Sequence, residues 1–439
     1  MHRFRKLLLL FSVALTFCAG LVFWLRKDTS TGPILLLVGL VLTALAFLRF
    51  KSLRGFSYTV WILVAVAAAM FYPHLFHRIG SFELKNVIVP FVQVTMFGMG
   101  AHMSFSDFKG VVMMPKGVII GVCCHFLVMP LVAYGLSHIF PFPAEIAGGV
   151  ILIGCVSSAM ASNVMSYLSG ANLALAITVG AVSTIVSPFV TPFLMLWLGG
   201  QYVEINTIHM MIDIINMIII PVVAGFIFNL FYEASASRGQ MVVQLVSYAL
   251  IMLITNSVLT VITKGSLLDF VYATLSSFFW FYLLPMLGAI FFRKVKDTVS
   301  RQQLEGGLSF AAMLGIVVNT VVITASGRDN LLEVGGLLII TCLLHNVAGL
   351  SLGYFLARLF GLPEKDRRTI AFEVGMQNGG VATGLALQMG KVATLGLAST
   401  IFGPLQNITG SALANWFKKK DHRGEAKSPP GIETVRQAV

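Results

Sequence analysis

Charge is the scarcest property of this chain. Only 11% of its 439 residues are Asp, Glu, Lys or Arg while 57% are hydrophobic, and the mean hydropathy is +0.87. A soluble domain needs a charged surface that such a composition does not supply. Cysteine is equally sparse: Cys18, Cys123, Cys124, Cys155 and Cys342 fall inside apolar stretches without metal-type spacing, so they read as small buried residues and no disulfide is expected. There is no G-x-S-x-G, no H-E-x-x-H and no pair of aspartates, which leaves an intramembrane hydrolase only His125 acting on Ser157 or Ser158. Nothing like A-x-A follows the first apolar stretch, which is also longer than a signal core, so MHRFRK opens a retained segment.

What the chain has is apolar length. Runs of about 18 residues or more, enough for the roughly 30 Å hydrocarbon layer of a bilayer, recur from end to end. Approximate spans are 7–25, 33–50, 57–76, 86–104, 117–137, 145–168, 172–199, 208–231, 242–262, 267–292, 304–326, 331–360, 369–389 and 392–416. They show no alternation of polar and apolar residues, and backbone amides in lipid must pair within their own segment, so helices are expected and barrel strands are not. The fold class is an all-α polytopic membrane protein of about fourteen transmembrane helices.

The 30 Lys and Arg exceed the 18 Asp and Glu to give +12. In a soluble protein that excess would suggest nucleic acid, but here the basic residues mark helix ends: Arg3, Arg5 and Lys6; Lys51 and Arg54; Arg293, Lys294, Lys296 and Arg301; Lys365, Arg367 and Arg368; Lys418 to Lys420. With strict alternation of fourteen helices all of these fall on one side, so the positive-inside rule puts both termini in the cytoplasm, in a bacterial inner membrane, with the lipid bilayer as partner and no nucleic acid. Loops are short except for the tail after Lys418, which mixes charge, Gly and Pro without period.

Two segments interrupt the apolar pattern in mid-span: Gly154-Cys-Val-Ser-Ser-Ala-Met-Ala-Ser-Asn-Val-Met-Ser-Tyr and Phe372-Glu-Val-Gly-Met-Gln-Asn-Gly-Gly-Val-Ala-Thr-Gly. Small and amide residues there suit helices that unwind where they cross, freeing carbonyls for cations and aiming half-helix ends at a substrate. The competing reading is close packing of the small-xxx-small kind. Glu373 favours the first, because a carboxylate in mid-span costs at least about 2.5 to 3.5 kcal/mol and no mid-span Lys or Arg is available to pair with it. A cation or a proton remains, alongside a plain hydrogen-bonded acid.

At these segments the chain resembles the bile acid:sodium symporter family. The resemblance rests on ASNVMSYLSG at 161–170, VSTIVSPFVTP at 182–192, LLHNVAGLSLGYFLARLFGL at 343–362 and EVGMQNGG at 373–380, in the family's order, and covers about 57–231 and 304–416. It implies an inverted-repeat transporter with two crossing discontinuous helices beside two sodium sites, moving an organic anion (bile acid-like, or another carboxylate or sulfonate) by alternating access. By position, Ser162, Asn163 and Glu373 match ligands of one Na+ site, and Glu373, Gln377 and the carbonyls of Val374 and Met376 match the other. Ser157, Ser158 and Asn378 fall at the substrate cavity. No cofactor beyond Na+ or H+ is implied.

Several positions depart from the family. Where sodium-coupled members carry hydroxyls this chain has Ala176 and Gly180; the usual Gln of the third family helix is His125, in HFLVMP; the Pro-Gly-Gly ahead of ASN is Ser157-Ser158-Ala159. Lost oxygen ligands weaken hard-cation binding unless waters or Thr178 and Ser183 substitute, and an imidazole near a carboxylate can share a proton. One sodium at most, proton coupling through His125 and Glu373, or an uncoupled carrier of the same fold are therefore expected alternatives, with a merely packed histidine beside them. The resemblance divides the chain into an extra helix pair at 1–56, the first repeat and start of the second at 57–231, an inserted pair at 232–303, the rest of the second repeat at 304–417 and a cytoplasmic tail at 418–439. Another register makes 7–25 the first core helix and yields two seven-helix repeats. A non-transporting sensor of the same fold is a further functional class.

Overall fold

The structure, a computed structural model, describes residues 14, 16, 31–50, 54–103, 105–233, 271, 275–276, 279–294 and 301–425. The expected spans 7–25 and 242–262, part of 267–292, Asn256, Cys18 and the end of the tail lie outside the described residues.

What is described is helical apart from one short hairpin. In chain order the helices are α1 Gly32–Leu48, α2 Arg54–Phe71, α3 Ile88–Ala101, α4 Phe105–Met113, α5 Pro115–Ile139, α6 Ala144–Cys155, α7 Ala161–Leu168 and α8 Leu173–Leu194. They continue as α9 Thr207–Ile214, α10 Ile220–Glu233, α11 Leu284–Lys294, α12 Arg301–Ser326, α13 Arg328–Leu359, α14 Glu364–Gly375, α15 Gly379–Gln388 and α16 Leu397–Glu425. A π turn at Ile215–Ile219 joins α9 to α10 in one continuous rod, and a second at Met195–Gly199 extends α8. Among the described residues six rods are long and apolar enough to cross a bilayer: Leu84–Ala101, Pro115–Ile139, Leu173–Gly199, Thr207–Tyr232, Gly306–Ser326 and Arg328–Leu359.

Start signals follow helix physics. Pro33 and Pro115 open α1 and α5, where a missing N–H is harmless. Asn172, Asn206 and Asn378 cap α8, α9 and α15 by accepting from the amides of Leu175, His209 and Val381. Gly170 and Gly390, at φ +67° and +70°, close α7 and α15 in the left-handed conformation that only glycine adopts freely.

The interruptions expected in two spans are present, and other features differ from the expectation. The span read as 145–168 is two helices, α6 and α7, and that read as 369–389 is α14 and α15, each pair separated by extended residues. The hairpin pairing Arg78–Ile79 with Phe82–Glu83, and the short α4, were not expected, because neither has an apolar run. Cys124, Cys155 and Cys342 are buried, but Cys123, about 100° round α5 from its neighbour Cys124, is exposed, so the reading of every cysteine as buried is corrected there. The last helix continues to Glu425, well past 417.

Two packed groups form. In one, α13 packs on α5, α14 and α16, with α6 against α5; in the other, α3 packs on α10 and α12, with α2 against α12 and α11 against α10. The α3–α10 crossing is tight because glycines meet there: a β-carbon on Gly100 would lie 1.9 Å from Val222 O, and one on Gly225 would lie 2.0 Å from Phe97 O. The groups touch where α15 meets α3 and α9, and where α8 meets α9.

Candidate functional site

The two broken helices meet at their breaks. The α6–α7 break and the α14–α15 break run antiparallel and pair through Ser158 and Gln377. Ala159 N donates to Met376 O at 3.1 Å, and Asn378 N donates to Ser157 O at 2.9 Å. Unwound backbone buried in a membrane protein must find partners, and here each break supplies them to the other. A third element helps. Gln406 of α16 accepts from Gln377 N at 2.7 Å and donates to Gln377 O at 2.9 Å, imitating a strand edge with its side-chain amide.

Glu373 ends the last turn of α14 and is fully buried. Its Oε1 accepts from Ser162 Oγ of α7 at 2.5 Å, while its Oε2 has no partner. Asn163 Oδ1, Gln377 Oε1 and Ser157 Oγ are likewise buried and unpaired. Among the described residues these four account for half of the eight buried side-chain polar atoms without a hydrogen bond. Natural interiors leave few such atoms, so four of them in and beside two short breaks need a cause. Among the described residues no Lys or Arg lies within salt-bridge reach of Glu373. Carboxyl and amide oxygens are the ligand types that hard cations take.

His125 of α5 bridges the same breaks from the side. Its Nδ1 lies 2.8 Å from Glu373 O and its Nε2 lies 2.8 Å from Val156 O. A neutral imidazole carries one N–H, so only the protonated ring can donate to both carbonyls.

A model of the Sodium Bile acid symporter family matches residues 89–270. A Bacillus subtilis (strain 168) protein described as the uncharacterized sodium-dependent transporter YocS is 30% identical over 381 residues, covering 87% of this chain and 96% of that one. This chain belongs to the sodium bile acid symporter family. Further symporter-family relatives are the probable sodium/metabolite cotransporters BASS1, chloroplastic, of Arabidopsis thaliana and of Oryza sativa subsp. japonica. The first is 24% identical over 83% of this chain and 73% of its own length, the second 26% identical over 84% and 74%. The sodium proton antiporter MjNhaP1 of Methanocaldococcus jannaschii superposes with a TM-score of 0.48 at 13% identity over 90% of this chain and 99% of that one, a likeness that assigns nothing here.

Seen as a member of the symporter family, the chain brings Ser162, Glu373, Gln377, His125, Ser157 and Ser158 to one buried crossing. The carbonyls of Val374 and Met376 already accept hydrogen bonds, from Gln377 Nε2 at 2.9 Å and from Ala159 N. Asn378 is spent as the cap of α15, with its Nδ2 3.8 Å from Met96 Sδ. At Gly180 an added β-carbon would lie 3.6 Å from the free Glu373 Oε2, so the missing side chain leaves open space beside that oxygen. The hydroxyls of Thr178 and Ser183 donate to carbonyls of their own helix, Ala174 O and Gly180 O. Gln406 was missed, although a mid-span amide in FGPLQNITG is the same kind of signal that singled out Asn163. His345 and Asn346 brace the crossing: His345 Nε2 lies 2.9 Å from Met129 O, and Asn346 Nδ2 donates to Gly375 O at 2.8 Å and is held by Thr409. Asn319 donates to Ile88 O of α3 at 3.4 Å, and Asp213 stands half-buried on α9, outside the two breaks.

Proposed function

We propose that this protein is a secondary active carrier that moves a small organic anion, a carboxylate or sulfonate of the bile acid-like kind, coupled to sodium by alternating access. Sodium is held between the breaks by Ser162, Asn163, Glu373 and Gln377, and the anion occupies the adjoining space near Ser157, Ser158 and Asn378. One observation carries this reading: a buried carboxyl oxygen and two amide oxygens stand unpaired at the paired breaks, in a lipid setting where an uncompensated acid is costly. The printed names of the relatives, a sodium-dependent transporter and two sodium/metabolite cotransporters, support it. With Ala176 and Gly180 offering no oxygen, one sodium per cycle is the stoichiometry proposed.

The contacts of His125 favour a second reading, in which a proton replaces sodium. The ring satisfies both Glu373 O and Val156 O only when charged, and a charged ring would compensate the Glu373 carboxylate without a metal ion. We further propose fourteen membrane helices with both termini in the cytoplasm of a bacterial inner membrane, extra helix pairs at 1–56 and 232–303, and the repeats at 57–231 and 304–417.

Uptake of labelled organic acids into proteoliposomes, with sodium exchanged for choline across a pH series, separates these readings. Loss of uptake in choline at every pH is expected. Uptake that follows an imposed proton gradient in choline would replace sodium by the proton, and binding without movement would make the chain a sensor.

A further inference from the structure

A polar cavity of about 290 Å³ opens at the end of the molecule where α9 begins and α15 ends; Glu204, His209, Asp213, Gln388 and Lys391 line it, and Lys391 is also paired with Glu145. Two rods descend from it. Along α9, His209 and Asp213 face the cavity and Met217 stands one turn deeper; along α15, Gln388 and Leu385 face it, Gly384 stands just below and Asn378 caps the far end at the crossing. The whole of α15 is about 15 Å long, so the cavity and the breaks are separated by little more than two layers of side chains.

One of those layers is a single methionine seated in a glycine notch. Met217 is 1% exposed, and a β-carbon on Gly384 would lie 2.1 Å from its Sδ and 2.9 Å from its Cε. Four residues back on the same face of α15, Gly380 meets Val92 of α3, whose neighbour Met96 reaches Asn378. Met217 belongs to the α9–α10 rod, which packs with α3, while Gly384 belongs to the broken-helix group packed with α16, so the contact spans the boundary between the two groups. The methionine sits inside the π turn, a widened backbone common where elements shift, and its unbranched side chain repacks easily.

We propose that Met217 is the plug of a gate: seated over Gly384 it closes the passage from the polar cavity to the crossing, and each transport cycle withdraws it as the two groups move apart. This rests on the carrier reading. The test uses Met217→Cys with Gly384→Cys in full-length protein whose native cysteines are alanine, reconstituted in liposomes and oxidised with copper phenanthroline. Met217 Cγ lies 3.7 Å from the β-carbon position of Gly384, close enough for a cysteine sulfur in its place to bridge. Exchange of radioactive sodium should fall to the protein-free level on oxidation and return on reduction, whereas the oxidant should leave each single variant at its own untreated rate. Exchange that continues through the cross-linked protein would overturn the plug, and so would thiols that fail to join in protein that still unfolds cooperatively.

A second measurement needs no transport. A Met96→Cys reporter should react slowly with an impermeant maleimide, faster once Met217→Ala is added, and no faster with Met195→Ala, an equal truncation of a buried methionine elsewhere. An unchanged rate with Met217→Ala would overturn the plug. A chain that exchanges no sodium yet shows the faster labelling fails as a carrier and keeps its plug.

Discussion

At the scale of single residues, the crossing sets an acid and an imidazole side by side under different constraints. Glu373 has one bonded and one free oxygen, whereas both ring nitrogens of His125 face carbonyls. Glu373→Gln removes the charge while keeping the shape, so coupled transport should vanish while the protein remains folded, read by uptake beside thermal unfolding in detergent. Away from the lipid, Arg368 is 4% exposed, donates through both terminal nitrogens to Asp421 at 2.7 Å and lies over the Phe417 ring. Asp421→Ala leaves that guanidinium short of its main partner. A loss of about 1.5 to 3 kcal/mol is expected, towards the lower end because the Asp421 side chain is 44% exposed. Glu364 of the same network lies below the ordinary carboxylate value: burial pushes it up, and hydrogen bonds from Tyr354 and Arg368 more than offset this. Its stabilisation is therefore complete above the ordinary carboxylate range and lost as pH falls through the lowered value. The stability gap between wild type and Glu364→Gln should accordingly be present near neutral pH and close in strong acid, read by unfolding midpoints.

At the scale of elements, the interruptions were legible because lipid penalises polar backbone so strongly that Ser, Asn, Gln and Glu in mid-span need a special reason. GCVSSAMASN and EVGMQNGG announced both breaks to within a few residues. Their mutual pairing through Ser158 and Gln377 was not legible, since a register between segments over two hundred positions apart leaves no local trace. Gln406 was overlooked for a related reason: its role is to complete another element's backbone. The α3–α10 crossing depends on glycine in the same way, without a polar signal. Gly225→Leu would force a side chain into Phe97 O and should cost about 1 to 3 kcal/mol of stability or more, read as a lower unfolding midpoint, whereas Gly403→Ala, where nothing stands within 4 Å, should change it little.

At the scale of the whole molecule, hydropathy gave the class of protein and the order of its rods, but the number of crossings depends on segments outside the described residues. Position of charge carried more than its sum: the basic residues after α13 turn out to serve the fold, with Arg367 on Leu362 O at 2.5 Å and Arg368 clamping α16. At one end of the crossing group Asn172 bonds Asp366, and at the other Glu145 pairs with Lys391 and Thr394. Pinned at both ends, the crossing is suited to move as one body against the α3–α10 group. Equilibrium binding of radioactive sodium to the purified protein bears on all of this most directly. Wild type should bind it saturably in competition with unlabelled sodium but not with choline, and Glu373→Gln should bind none; equal binding by the two proteins would mean that the cation, if there is one, rests elsewhere.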